Sequence, residues 1–283
     1  MKRVDFVNHA IILASFGTLD PKIRAETTDL LTAEVRKHFP DSEVVQTYTS
    51  RFMRKKLAES GIETQTLDDL FAHYAEKNFQ RVTVLPVILT PGEEYEEKIL
   101  AVGDSFVSKS NAMRIQTLTP IFSEEDQATE EDQNYFQTIL DCFDFHDDEQ
   151  IVLIGHGSPH FHNPVFEMLQ NLADERGQPI SIGVLEEDDY PNFDDVLEHL
   201  KKSSSKKIFL APILISGGSH ADEICGDSKD SWKSRLKSAG YEIRTESRGL
   251  LKFPAFRKIF IDKLESAKPR EMEKVPLFVQ MYQ

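Results

Sequence analysis

Short, unbroken apolar runs alternate with segments of helical periodicity along this chain. Residues 10–14 and 151–154 are continuous apolar stretches, which is typical of strands buried on both faces. Further strands are predicted at 43–48, 81–89, 114–118, 180–185, 207–215 and 241–246, and helices at 21–37, 51–60, 67–78, 94–108, 131–142, 165–175, 193–201, 231–239 and 255–265. Strands separated by helices predict an α/β protein with parallel sheets and right-handed crossovers.

One structural pattern occurs twice. Its first copy reads I-L-A-S-F-G-T from position 12 and its second reads V-L-I-G-H-G-S from position 152, so Phe16 is matched by His156. Two later apolar runs each lead into a loop, and there Glu94 is matched by His220. A repeated scaffold with imidazoles in one copy only predicts two similar halves that share a single site.

The predicted architecture is therefore two similar half-domains, residues 1–143 and 144–283. Each is expected to be a mostly parallel sheet flanked by helices, with the active-site cleft between the halves. Open parallel sheets bind ligands at the carboxyl ends of their strands. The candidate residues at such ends are Phe16, Glu94, His156, Glu186 and His220.

Composition excludes several classes of protein. The formal net charge of −15 argues against a nucleic-acid partner, because such proteins need a basic face to displace counterions from phosphates. Two cysteines, Cys142 and Cys225, provide neither a disulfide framework nor a zinc ribbon. No run is long enough to span a membrane, and the first residues lack the apolar core of a signal peptide. A cytoplasmic location is the simplest expectation.

Two histidines and one acid suggest metal chemistry. His156 lies between two glycines after a buried strand, and Glu186 ends the strand at 180–185. With His220 they form a donor set suited to divalent cobalt, nickel, iron or zinc. In the alternative interpretation His156 only orders its turn, His220 faces water, and Glu186 is one of several solvated loop acids.

A basic run, R-F-M-R-K-K from position 51, opens a predicted helix. In so acidic a chain, Arg51, Arg54 and Lys55, with Arg24, could meet an anionic ligand at the cleft edge, helped by the helix N-terminus. A solvated helix face explains the same charges equally well.

Taken in order, these motifs resemble those of a known family. They are A-S-F-G-T, T-S-R-F-M-R-K-K-L, P-G-E-E-Y-E, G-H-G-S, G-S-H-A and D-S-W-K-S, and they extend to about residue 264. The chain resembles the class II tetrapyrrole chelatases, most closely the anaerobic cobalt chelatases of the CbiK type.

The resemblance implies insertion of divalent cobalt, as the substrate metal, into sirohydrochlorin or its precorrin form for cobalamin synthesis. It implies that His156 and His220 bind the metal, that His156 also accepts pyrrole protons, and that Glu94 and Glu186 are active-site acids. It implies no organic cofactor. The tetrapyrrole would be the partner, with Phe16 as an apolar wall and the basic run meeting its carboxylates.

The chain departs from the family pattern in three places. Ser219 stands where an aspartate usually precedes the second histidine, Glu187 rivals Glu186, and the tail beyond residue 269 has no counterpart. Related enzymes insert iron or nickel, or act on haem-like tetrapyrroles, with similar ligands, so these activities stay open. A non-catalytic tetrapyrrole or metal carrier, and a homo-oligomeric state, stay open too.

Overall fold

Eight short strands form two four-stranded sheets. The computed structural model describes residues 8–107, 113–125, 127–158 and 162–267. The first sheet contains β1 (His9–Ser15), β2 (Ser42–Tyr48), β3 (Arg81–Pro86) and β4 (Arg114–Thr117), and the second contains β5 (Gln150–Gly155), β6 (Ile180–Val184), β7 (Lys207–Pro212) and β8 (Glu242–Thr245). All pairings between these strands are parallel. The predicted α/β class is confirmed.

The two sheets share one topology and one register. Their strand orders are β2-β1-β3-β4 and β6-β5-β7-β8. Near the carboxyl ends of the central strands, Ala14 pairs with Pro86 in the first sheet and Ile154 pairs with Pro212 in the second. The sequence repeat is therefore a repeat of backbone structure.

Side-chain caps define most helices of the first half. These are α1 (Pro21–Glu26), α2 (Thr28–His38), α3 (Arg51–Glu59), α4 (Leu67–Glu76), α5 (Glu93–Tyr95), α6 (Ala101–Val107) and α7 (Glu130–Asp141), with a π-helical turn, Glu96–Leu100, between α5 and α6. Asp20, Ser50, Thr66 and Thr129 each accept a backbone N–H of the first turn. Such caps satisfy donors that a helix cannot pair internally.

The second half has five helices in its described residues. They are α8 (Pro164–Glu175), α9 (Phe193–Leu200), α10 (Ser219–Cys225), α11 (Trp232–Ser238) and α12 (Pro254–Ser266), and a 3₁₀ turn, Leu250–Lys252, precedes α12. Asn163, Asn192 and Ser231 cap α8, α9 and α11. Within the described residues, no helix combines the length and apolarity needed to cross a bilayer.

Alternating residues of the central strands pack into different cores. In β1, Ala10, Ile12 and Ala14 pack in one apolar cluster with α4, whereas Ile11 and Leu13 pack in another. The same alternation holds in β5. The cluster that contains Ile11 and Leu13 also contains residues from both sheets and from α2, α7, α8 and α12. One apolar core therefore joins the two halves.

The last described helix, α12, packs against elements of both halves. α12 contacts α2 and α7, and the buried Arg257 on α12 donates from Nε to Glu34 Oε2 on α2 at 2.8 Å. The predicted boundary between residues 143 and 144 separates the two sheets and assigns α12 to the second half. That boundary stays a prediction.

Three predicted segments differ in detail. The helix predicted over 21–37 is interrupted at Thr27, whose φ of −130° and ψ of −94° are not helical. The helix predicted over 94–108 contains the π-helical turn. His220 was predicted in a loop and lies in the first turn of α10, a short helix bounded by Gly218 and Gly226. The strand-like stretch at 275–281 lies outside the described residues.

Candidate functional site

The matched positions of the sequence repeat are matched in the structure. Phe16 directly follows β1 and His156 directly follows β5. Glu94 and His220 are the second residues of α5 and α10, and each helix begins after a glycine with positive φ. Since only glycine adopts such φ values readily, both turns are set by the same kind of residue. The four side chains thus occupy two pairs of equivalent positions.

Two imidazoles and a carboxylate meet in the second half. The rings of His156 and His220 lie edge to face, with 4.6 Å between their centroids and 88° between their planes. Nδ1 of His156 lies 3.6 Å from Glu186 Oε1 and 3.1 Å from the carbonyl oxygen of Gly157. Both rings are partly exposed, at 43%. Three of the predicted site residues are therefore neighbours.

Glu223 orients the second imidazole. Its Oε1 lies 3.1 Å from Nδ1 of His220, one turn further along α10. The sequence left the orientation of His220 open because Ser219 replaces the usual aspartate. The i, i+3 spacing would have indicated Glu223 only if a helix had been predicted there.

The hydrogen-bond partners favour one tautomer of both histidines. A carbonyl oxygen faces Nδ1 of His156 and a carboxylate faces Nδ1 of His220, so in each ring the proton is assigned to Nδ1. Nε2 then keeps its lone pair, which can ligate a metal or accept a proton. Among the described residues, no group of three or more His, Cys, Asp or Glu side chains lies close enough together to hold a metal ion. His156 and His220, with Glu186 beside His156, are therefore an open set of donors and not a closed metal site.

Backbone hydrogen bonds tie Glu186 to the histidine loop. The N–H groups of Leu185 and Glu186 both donate to the carbonyl oxygen of His156 at 3.1 Å. The next two acids, Glu187 and Asp188, are exposed, whereas Asp189 is buried. The alternative interpretation, in which these residues are all solvated loop acids, is therefore wrong for Asp189.

Glu94 belongs to a polar cluster of the first half. Its carboxylate accepts from Lys98 Nζ at 2.8 Å and from the Thr49 hydroxyl. The hydrogen bond to Glu94 raises the pKa of Lys98 despite an opposing contribution from burial. Among the described residues, no hydrogen bond or ion pair joins Glu94 to His156 or His220.

The loops at the carboxyl edges of the two sheets touch. Asn163, which caps α8, donates from Nδ2 to Thr90 Oγ1 at 3.0 Å and to the carbonyl oxygen of Pro91 at 3.4 Å. Thr90 and Pro91 lie between β3 and Glu94, and Asn163 follows the loop of His156. This contact places the candidate loops of both halves side by side, as the shared site requires.

The predicted cations divide into two kinds. Arg54 donates through Nη1 to the carbonyl oxygens of Tyr48 and Thr49, with 2.8 Å to the latter. The largely buried Arg24 side chain lies 3.5 Å from the partly exposed Asp29 carboxylate. These two arginines have internal structural partners. Arg51 and Lys55 are exposed on α3 and are free to meet an anion in solution.

Large apolar side chains are exposed at this edge. Among the described residues they are Phe16, Leu19, Phe52 and Tyr190. Phe16 and Leu19 follow β1, Phe52 opens α3, and Tyr190 follows β6. All four therefore follow the carboxyl ends of strands, where open parallel sheets bind ligands. The sequence pointed to Phe16 alone, because isolated aromatic residues carry no periodic signal.

The cysteines take no part in the donor set. Cys225 ends α10, yet burial raises the pKa of its thiol to about 12, and burial raises that of Cys142 to about 11. Both cysteines are free of disulfides, and neither is a ready thiolate ligand.

Comparisons with known proteins agree with the fold. Sirohydrochlorin cobaltochelatase of Salmonella typhimurium is 24% identical over 267 residues, covering 94% of this chain and 98% of that protein. Sirohydrochlorin cobaltochelatase CbiKC of Nitratidesulfovibrio vulgaris is 26% identical over 258 residues, covering 91% and 89%.

Solved structures share the fold. SirB from Bacillus subtilis with Fe³⁺ superposes with a TM-score of 0.61 at 16% identity, covering 91% of this chain and 94% of that one. CbiX, described as the terminal enzyme of siroheme biosynthesis in denitrifying bacteria, gives a TM-score of 0.53 at 14% identity, covering 92% and 100%. Residues 9–268 match the family described as cobalt chelatase (CbiK), and the chain belongs to that family.

Proposed function

We propose that this protein inserts divalent cobalt into sirohydrochlorin, or into its precorrin form. The observation that carries the proposal is the pair of imidazoles, His156 in the loop after β5 and His220 in the first turn of α10, whose ring centroids lie 4.6 Å apart. Glu186 lies beside the first of them. Membership of the cobalt chelatase family and the names of the two relatives support the metal and the macrocycle.

The histidines perform two tasks in this reaction. Metallation of a tetrapyrrole releases two pyrrole protons, so a base must stand beside the metal. With Nδ1 of each ring facing an acceptor, Nε2 of His156 and of His220 would hold cobalt. Transfer of the metal to the macrocycle would free both nitrogens, so that His156 could accept one pyrrole proton and His220 the other. Because the donor set is open, a metal held there would keep coordination positions free for the macrocycle nitrogens.

Glu186 completes the donor set. Its carboxylate lies beside His156, and its side chain is about one-third exposed, so rotation about its side-chain bonds brings it to a metal on Nε2. A carboxylate also offsets the positive charge of cobalt before the porphyrinoid dianion does so. We assign the metal to Glu186 rather than Glu187, because the Glu187 side chain is exposed and, among the described residues, forms no hydrogen bond or ion pair with the histidine loop.

The first half supplies the surface for the macrocycle. Phe16 and Phe52 are exposed at the carboxyl edge and would cover a flat, apolar ring. Arg51 and Lys55 would meet its peripheral carboxylates, and Glu94, held by Lys98, would stand as the acid at the position equivalent to His220. In this proposal no organic cofactor takes part and the reaction takes place in the cytoplasm.

Anaerobic metallation of sirohydrochlorin tests the proposal. Purified protein is mixed with sirohydrochlorin and with Co²⁺, Fe²⁺ or Ni²⁺, and the absorbance change of the macrocycle is followed. We expect many turnovers per protein, fastest with cobalt. Faster turnover with iron or nickel, or with a haem-like porphyrin, would change the assigned substrate. Tight stoichiometric binding of metal or macrocycle without turnover would identify a carrier and overturn the enzyme assignment.

A further inference from the structure

Asp189 is a buried carboxylate next to the site, and the proposed chemistry does not use it. It closes the turn that starts at Glu186, because its N–H donates to the Glu186 carbonyl oxygen at 3.1 Å. Its side chain is fully shielded from solvent, in contrast to the exposed Glu187 and Asp188. An ionised carboxylate in such a place is costly unless hydrogen bonds replace its water.

Four nitrogens supply those hydrogen bonds. Oδ2 accepts from the backbone N–H of Ser158 at 2.8 Å. Oδ1 accepts from the backbone N–H groups of Asn163 at 3.2 Å and Tyr190 at 2.8 Å, and it lies 3.0 Å from Nδ1 of His162. Three of these partners, Ser158, His162 and Asn163, belong to the loop that follows β5. Asp189, in the loop that follows β6, therefore binds that loop on both sides of residues 159–161.

These hydrogen bonds to Asp189 lie directly beside His156. Gly157, the residue after His156, has a φ of 80°, and an added Cβ there would lie 2.9 Å from Val184 Cβ and 3.1 Å from Asp189 Oδ2. The backbone at Gly157 therefore packs closely against Val184 and the Asp189 carboxylate, with no room for a side chain. A change in the Asp189 carboxylate must move the His156 loop, the Glu186 loop, or both.

We propose that Asp189 is a positioning residue that fixes His156 and Glu186 relative to each other, and so sets the geometry in which cobalt is held. The inference rests on the proposed function, since it gives Asp189 a role through the metal ligands. It extends that function by assigning the shape of the site to a carboxylate that touches neither metal nor macrocycle. Groups that orient metal ligands typically change metal affinity by about 10–100-fold.

Asp189→Asn tests this positioning role. The amide keeps the size of the side chain, but it replaces one acceptor oxygen by an NH₂ group that would face a backbone N–H. We expect Co²⁺ affinity, measured by competition with a chromophoric chelator, to fall by about 10–100-fold. The visible absorption of bound Co²⁺ should change, kcat should fall, and the KM for sirohydrochlorin should stay unchanged.

Asp132→Asn is the matched control. Asp132 is also a buried aspartate, and its carboxylate accepts from the N–H and hydroxyl groups of Ser123 and Thr129. It completes the capping box at the start of α7 with Thr129 and does not belong to the donor set. We expect this variant to lose stability and to keep the cobalt spectrum and affinity. A purely structural role for Asp189 would make the two variants alike.

The outcomes separate the two proposals. If the wild-type protein binds Co²⁺ without dependence on His156 and His220, the proposed function fails at its metal site. If that dependence holds and Asp189→Asn binds Co²⁺ as the wild type does, the positioning role is overturned. Should Asp189→Asn not fold, His162→Ala removes one exposed donor to Asp189 and leaves the backbone donors. It should weaken Co²⁺ binding in the same direction as Asp189→Asn but by less than about 10-fold, and an unchanged affinity would overturn the role.

Discussion

The two halves of this protein share a backbone and differ in the residues at the strand ends. Phe16 and Glu94 in the first half stand where the second half has His156 and His220. Beyond these positions the sheets agree in strand order and register. The strand order and register are thus repeated, whereas the residues that we propose to face the ligand are not. One scaffold can supply a macrocycle surface and a metal site when only its loops diverge.

The loops after the second strand of each sheet diverge most. After β2 the chain enters α3, whose first six residues carry four positive charges and no negative charge. After β6 the equivalent position begins a turn of four acidic residues, 186–189. A cationic edge attracts carboxylates and an anionic edge attracts a metal ion. The cationic start of α3 therefore suits the carboxylates of the macrocycle, and the acidic turn at 186–189 suits the metal ion.

The largest expected effect comes from removing the imidazoles. His156→Ala and His220→Ala should each lower kcat/KM for metallation by at least about 100-fold, because each removes a metal ligand and His156 is also the base. Both side chains are partly exposed, so the free energy of unfolding should change by less than about 1 kcal/mol. Metallation rates and urea denaturation of both variants provide the test.

His199→Ala is the control for this pair. His199 lies far along α9 and contacts Ser181 Oγ and Asp174 Oδ1 at 2.8 and 3.1 Å. This variant should keep full activity. Near wild-type turnover in either site variant would show that the second half does not hold the metal through its histidines.

The fold could be predicted from sequence because burial and periodicity leave strong signals. The continuous apolar run in β1 arises because both faces of that strand are covered. α10 was missed since its seven residues are too few to show helical periodicity. The break at Thr27 was missed because nothing in local propensity marks it, and its hydroxyl bonds to the carbonyl oxygen of Ile23 only in the folded chain.

The next effect compares the acids of the second half. Glu186→Gln should weaken Co²⁺ binding by about tenfold, whereas Glu187→Gln should leave it within twofold, because the Glu187 side chain is exposed and away from His156. Calorimetric titration of cobalt into both variants measures the difference. An equal loss from both would mean that the turn acts through its total negative charge.

The candidate site could be predicted only in part. His156 and His220 were indicated by their positions in the repeat, which depend on sequence alone. Glu223, Lys98 and Asp189 were not, because their roles depend on which side chains face one another after folding. Asp189 in particular is one of four consecutive acids, and only burial distinguishes it from its neighbours.

A smaller effect concerns the cationic edge of the first half. The double variant Arg51→Gln with Lys55→Gln should raise the KM for sirohydrochlorin about fivefold, since two exposed charges contribute roughly 0.5 kcal/mol each. The difference from the wild type should shrink at high salt, and kcat should stay unchanged. An unchanged KM at low ionic strength would mean that α3 is an ordinary solvated face.

Arg54→Gln separates charge from structure on the same helix. Its guanidinium serves the carbonyl oxygens of Tyr48 and Thr49, so this variant should mainly lower the free energy of unfolding, by about 1–2 kcal/mol. Thermal denaturation beside steady-state kinetics distinguishes the two kinds of loss. A rise in KM larger than that of the double variant, without lost stability, would assign Arg54 to the ligand instead.

The smallest effect lies at the opposite edges of the sheets, where the halves also differ. Burial, with Arg81 nearby, lowers the pKa of His9 to about 4, and its ring nitrogens contact Ser42 Oγ and Thr83 Oγ1 at 2.9 Å. Between pH 6.5 and 4 the unfolded chain therefore binds a proton that the folded chain does not, so stability falls as pH falls through that window. This contribution is on the order of 1–2 kcal/mol after allowance for solvent.

His9→Gln should flatten the dependence of unfolding free energy on pH between 7.5 and 5, as measured by urea denaturation. Glu149, at the equivalent position of the second half, is paired with Arg244 through a 2.8 Å hydrogen bond, and this bond lowers the pKa of the Glu149 carboxyl. Its stabilisation is present above the ordinary glutamate pKa of about 4.3 and is lost only below it. Glu149→Gln should therefore lower stability by the same amount at pH 7.5 and pH 5. If His9→Gln and the wild type keep parallel curves across this range, the buried imidazole does not titrate as its surroundings imply, and the two edges do not differ in their response to acid.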